Sequence, residues 1–199
     1  AGYDKSPPRL PQAQAGGALT PQQRARRRAG RALAAAGFVE TPAMSFQDDT
    51  DLDRLGIDVD DERRRSVRIA YPISAEQQTV RTTLLPNLLA ALRRNVSRGT
   101  DHVATYELGT VFFEPAQSRP PPPVIDRGIH PTPEQLAALE MARPIERLHA
   151  AVAVTGTEPA SWYGPGHEAS WRDAVEAARV LADSVGTEID VQQAQQAPW

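Results

Sequence analysis

The stretch from Val80 to Phe113 limits the possible folds more than any other part of the chain, because a helix must hand directly over to a strand. Thr83 can cap the helix, and Pro86 falls in its first turn, where a missing N–H costs nothing. Leu85, Leu88, Leu89, Leu92 and Val96 recur at helical spacing and predict one apolar face. Arg93, Arg94 and Arg98 gather at the far end, where positive charge suits the helix dipole. Gly99, Thr100 and Asp101 break the helix. From His102 the pattern becomes strand-like, with Val103 and Thr105 on one face and Ala104, Tyr106 and Leu108 on the other. Gly109 interrupts that alternation and predicts a bulge or a close backbone approach.

The flanking segments are simpler. Residues 1–18 hold Pro7, Pro8, Pro11, Gly16 and Gly17 and read as an extended lead-in. Thr20 and Pro21 open a helix over residues 21–36, stopped by Gly37. Its narrow stripe of Ala25, Ala29, Ala32, Leu33 and Ala36 lets another helix approach closely. Arg24, Arg26, Arg27, Arg28 and Arg31 cover the other faces. They read as a solvated or acid-paired face, or as a nucleic-acid patch that lacks aromatic residues for base stacking. Residues 37–46 and 66–71 are predicted strands, the second ended by Pro72.

Asp49, Asp51 and Asp53 have the alternate spacing of a calcium loop, but Arg54 and Asp60 stand where that loop needs a glycine and a glutamate. A short capped helix, with Leu52 and Leu55 turned inward and Gly56 at its end, explains the same residues. Residues 115–133 hold seven prolines and read as a polyproline-type surface loop. Helices are expected over 133–141 and 171–185, with Gly186 closing the second. Strands are expected at 148–154 and 187–191, and a turn-rich aromatic loop from Trp162 to His167.

Few chemistries fit. The chain of 199 residues carries a net charge of −3, which gives no general affinity for polyanions. It has no cysteine, hence no disulfide, thiol nucleophile or cysteine-ligated zinc. No run is long and apolar enough to span a membrane, and no signal-peptide core opens the chain, so a cytoplasmic location is expected. The abrupt first and last residues suggest a piece of something larger. His102, His130, His149 and His167 show no metal-ligand spacing. Ser74 and Ser161 lack nucleophile-elbow glycines, and no glycine-rich phosphate loop is present. His149 is expected at a core or edge position and His167 in solvent. Glu107 reads as a structural ion pair with Arg81, or as a buried acid.

Two motifs carry a resemblance. Arg81-Thr82-x-Leu84-Leu85-Pro86-x-Leu88-Leu89, followed by Glu107-Leu108-Gly109-x-Val111-Phe112, resembles the beta subunit of bacterial phenylalanyl-tRNA synthetases. Gly2-Tyr3-Asp4 with Pro7 is similar to the signature closing the family's preceding small domain, whose magnesium-liganding carboxylates would lie before Ala1. The long helix, Gly37-Phe38 and strand resemble motif 1 of class II synthetases, a dimer interface, with Pro42 two residues early. Tyr71-Pro72-Ile73-Ser74 takes the place of the family's Asn-Pro-Leu-Ser.

The resemblance implies an α+β fold: a mainly antiparallel class II sheet flanked by helices, catalytically degenerate, over residues 19–199. Class II enzymes grip the ATP α-phosphate with an arginine of motif 2, in a pattern of Phe-Arg-x-Glu. Here Phe112 is followed by Phe113 at the arginine position, and Pro115 takes the glutamate position. The resemblance therefore implies no catalytic residue and no metal in this segment, with ATP and magnesium used elsewhere in the enzyme. It implies a heterotetramer with the alpha subunit, charging tRNA(Phe). The expected subunit interface is Ala25, Ala29, Ala32, Leu33 and Phe38. The alternative is a tRNA-binding module using Arg24, Arg27, Arg28 and Arg31, and a third reading is an independent ATP-using ligase.

Overall fold

A computed structural model describes residues 2–5, 7, 9, 17–114, 120–162 and 164–193. Its centre is a long hairpin. Strand β4 (His102–Phe113) pairs antiparallel with β5 (Ile145–Gly156) without interruption, from His102 opposite Gly156 to Phe113 opposite Ile145. A short strand β1 (Val39–Glu40) adds to the other side of β4 in parallel, giving the order β1-β4-β5. A second, two-stranded antiparallel sheet joins β2 (Phe46–Gln47) to β3 (Thr79–Val80). The fold is mixed α and β, and its sheet is small. Antiparallel pairing dominates as expected, with one short parallel edge.

Helix α1 (Pro21–Ala35) starts as its sequence dictates, with Thr20 and Gln23 forming a capping box and Pro21 in the first turn. Gly37, at φ +92°, ends it in the left-handed conformation that favours glycine. Helix α2 (Asp49–Arg54) is capped by Asp48 and buries Leu52. Helix α3 (Leu85–Ser97) precedes β4, α4 (Pro133–Met141) lies within the long β4–β5 connection, and α5 (Trp171–Val185) follows β5. Ser170 and Asp173 form the capping box of α5, and Gly186 terminates it at φ +76°.

Helices α1 and α5 cover one face of the hairpin. Ala29, Leu33 and Ala177 pack with Tyr106 and Leu108, and Phe38, Val152 and Leu181 close the cluster. On the other face the start of α3 lies on β4, where Leu84 packs with Val111, Phe113 and Ala151. Alternation along β4 serves both layers: Tyr106 and Leu108 point to one, Val111 and Phe113 to the other.

Several expectations need correction. Gly109 makes no bulge; it pairs in register with His149. The close approach does occur, because a Cβ there would collide with the Arg81 guanidinium and lie 2.9 Å from Leu84 Cδ2. Within residues 37–46 only Val39–Glu40 and Phe46 are strand; Thr41 N still donates to Tyr106 O, and Pro42, with no N–H, then ends the ladder. Residues 66–71 form no strand. Val80 N donates to Val67 O and Ile69 N to Gln78 O, after which Pro72 ends the pairing. Residues 187–191 pair with nothing described.

Helix α3 is capped by Leu84 without a side-chain bond, while the Thr83 hydroxyl accepts from Leu85 N at 3.4 Å. Its buried line is Leu84, Leu88 and Ala91, which leaves Leu89 and Val96 exposed. Most of the lead-in, residues 115–119 of the proline-rich loop with Pro115, and the last six residues lie outside the described residues.

Candidate functional site

At the end of β4, Phe113 is buried against Leu84 and Val111. Its ring carries the Arg147 guanidinium, whose central carbon is 5.4 Å from the ring centroid. His149, two residues along the same face of β5, tilts against the same ring at 6.2 Å. Burial, and then the charge of Arg147, hold the imidazole below its ordinary pKa. These side chains line a cleft of about 570 Å³ with Arg63, Thr82, Thr83 and Leu85. Phe112 points to the opposite face, and Glu114 N donates to Arg65 O. No side chain from the end of β4 offers this cleft a cation; the one over Phe113 comes from β5. Sequence reasoning missed Arg147, because only the strand register Val111 opposite Arg147 brings it there.

Below the cleft lies a buried ion pair. Arg81 Nη1 and Glu107 Oε1 are 2.6 Å apart, with side chains 2% and 3% exposed. Arg81 Nε also donates to Thr110 O, and Glu107 Oε1 accepts from Ala43 N at 3.3 Å. Glu107 Oε2 is buried without a hydrogen-bond partner among the described residues. Next to the pair, Gln47 Oε1 accepts from Thr82 N, and the Thr82 hydroxyl donates to Arg63 O. The pair expected from sequence is thus present, and it fastens β3 and the start of α3 to β4.

On α1 the expected interface residues divide. Ala29 and Leu33 are buried by α5 and β4 of the same chain, so they offer nothing to a partner. This corrects the expectation of an exposed stripe: the helix that its small residues admit is α5. Ala25, Ala32 and Phe38 are half-buried. The arginines divide as well. Arg24 donates to Leu19 O, Arg26 to Leu108 O and Arg28 to Ser184 O, each satisfying a main-chain carbonyl. Arg27 and Arg31 are exposed on the rim of a groove of about 510 Å³ floored by Gly30, Tyr106 and Leu108. Tyr106 donates its hydroxyl to Gly30 O, and burial, then Glu40, raise its pKa.

The acidic segment and His167 have structural partners. Asp51 pairs with Arg54 and Asp53 with Arg64, as the helical reading of that acidic segment requires. His167 is exposed, as expected, and is also paired: Nδ1 meets Glu158 and Nε2 meets Asp173, both at 2.9 Å. Asp173, then Glu158, raise its pKa, and His167 with the α5 cap holds Asp173 down to about 2. Among the described residues no three His, Asp or Glu side chains converge as metal ligands. No described helix is long and apolar enough to cross a membrane.

The family of the phenylalanyl tRNA synthetase beta chain CLM domain matches residues 7–199. The chain belongs to this family. It is 46% identical to the phenylalanine–tRNA ligase beta subunit of Streptomyces avermitilis over 200 aligned residues, and 41% and 38% identical to those of Thermobifida fusca and Nocardia farcinica. Each alignment takes in the whole chain but 24% of the relative, so the chain spans about a quarter of their length. Among solved structures it is similar to the pyrrolysyl-tRNA synthetase of Desulfitobacterium hafniense, at 14% identity and a TM-score of 0.49, covering 83% of this chain and 47% of that one.

Proposed function

We propose that this CLM domain is a non-catalytic, structural module of a phenylalanine–tRNA ligase beta subunit. It supports the ATP-dependent charging of tRNA(Phe) with phenylalanine by an alpha subunit, within a cytoplasmic heterotetramer of two alpha and two beta subunits. The observation that carries this reading is the buried Phe113 in place of a phosphate-gripping arginine. A phenyl ring cannot neutralise the charge that develops on the α-phosphate as an adenylate forms. ATP and magnesium then act at the alpha subunit. With Ala29 and Leu33 enclosed, the subunit interface falls on the open side of α1, around Gln23, Arg27, Arg31 and Ala34.

Size-exclusion chromatography with light scattering tests this, on the chain alone and mixed with the alpha subunit. A stable mixed complex, weakened by Ala34→Glu with Arg31→Glu, is the expected result. A chain that ignores the alpha subunit, or that catalyses ATP–pyrophosphate exchange alone, would overturn it.

A second reading has its own support: Arg27 and Arg31 are exposed, and no carboxylate of the described residues pairs with them. Used on tRNA, they would add roughly two phosphate contacts, so replacing both would flatten the salt dependence of RNA binding by roughly two log units of K per log unit of salt. An unchanged slope removes that reading.

A further inference from the structure

The apolar side of α3 is wider than the sheet beneath it can cover. Leu84, Leu88 and Ala91 are buried and Leu85 and Leu92 half-buried, while Leu89 and Val96 stand 40% and 47% exposed. Leu85, Leu89, Leu92 and Val96 follow one another at the alternating four- and three-residue steps with which one helix meets another. This line overhangs the edge of the core as an aliphatic ridge.

Beside the ridge, Arg93, Arg94 and Arg98 are all exposed, and no carboxylate among the described residues lies within ion-pair distance of them. Several other surface arginines are neutralised locally: Arg54 meets Asp51, Arg64 meets Asp53, and Arg143 meets both Glu140 and Glu146. The end of α3 sets an aliphatic ridge beside an unneutralised cationic patch.

That combination selects its occupant. A second copy of this helix brings no acid to the arginines, because residues 85–98 contain neither Asp nor Glu. RNA satisfies the arginines but leaves Leu89 and Val96 facing phosphate and ribose. An amphipathic helix with leucine-like residues on one side and carboxylates flanking them satisfies both halves of the surface.

We propose that this edge of α3 docks an amphipathic, acid-flanked helix from a different chain. Taking that chain to be the alpha subunit rests on the function proposed above.

Hydrogen exchange on the intact beta subunit tests the docking surface, measured alone, with the alpha subunit and with tRNA. The amides of residues 89–98 are expected to slow at least about tenfold only when the alpha subunit joins, since docking removes local opening. Reversing charge with Arg94→Glu and Arg98→Glu is expected to weaken the complex about tenfold, and Leu89→Ser with Val96→Ser to do the same while leaving the free subunit folded. Slow exchange already in the beta subunit alone would assign the ridge to the same polypeptide and overturn the inference. Slowing with tRNA alone would make it an RNA surface, again overturning it. A complex that forms with exchange in α3 unchanged refutes the docking surface and leaves the assembly reading intact. If no complex forms, both fall.

Discussion

The two faces of the β4–β5 hairpin use amphipathic helices in opposite ways. On one face, α1 presents a narrow stripe of small residues to α5, and Ala29, Leu33 and Ala177 are almost wholly enclosed with Tyr106 and Leu108. On the other, α3 has a broad apolar side that β4 and β5 cover only in part, so part of it hangs in solvent. The first face closes on apolar contacts, with Tyr106 donating to Gly30 O and Arg28 to Ser184 O around them. The second needs the buried Arg81–Glu107 pair and the Gln47–Thr82 bond to hold α3 in place. Helical periodicity marks which residues share a side; the width of the opposing surface decides how many of them are buried.

Breaking the polar face should have the largest effect. Glu107→Ala leaves Arg81 buried and unpaired, and a loss of about 3–5 kcal/mol in urea unfolding is expected. The double variant Arg81→Met with Glu107→Leu should recover most of that loss. If the single variant costs no more than the double, the pair does not hold the second face together.

The apolar face should break by a cavity instead. Leu33→Ala is expected to cost about 2–5 kcal/mol, with no rescue from any charge change. Ala29→Leu, which forces α1 away from α5, should cost about 1–3 kcal/mol by the same urea measurement. An unaffected midpoint for Ala29→Leu would show that α1 and α5 do not approach closely.

A smaller effect should come from the ends of the first face. Thr20→Ala removes the α1 cap, and a loss of about 1 kcal/mol is expected. At α5 the link is pH-dependent. The pKa of His167 is raised in the folded chain, so its contribution is complete below the unfolded value of 6.5 and fades as pH rises through the folded value. Asp173 titrates the opposite way: its contribution is present above 3.8 and is lost as pH falls toward about 2. The melting temperature of wild type minus that of His167→Gln should therefore shrink between pH 6 and pH 9. A constant difference would show that the imidazolium adds nothing to the α5 cap.

Much of this fold can be read from the residues because its signals are local. The capping box at Thr20, the terminator at Gly186 and the proline in the first turn of α3 act within a few residues of themselves. The Arg81–Glu107 pair was also legible, since a charged residue amid an apolar strand pattern needs a partner. Features set by register were not. Arg147 reaches Phe113 only through the pairing of two strands separated by a long connection. The stripe on α1 was read correctly as a helix-packing surface, but nothing local says whether the second helix belongs to the same chain. Leu89 and Val96 looked like core residues because periodicity cannot measure the surface opposite them.

The glycine at position 109 has a consequence beyond packing. Its missing side chain is the space occupied by the Arg81 guanidinium, which in turn neutralises Glu107. A side chain at 109 would have to displace the guanidinium, and a displaced guanidinium would leave the carboxylate without its partner. Two short segments of the chain thus meet through an absence: the hydrogen at position 109 is what leaves room for a charge on one to be answered on the other.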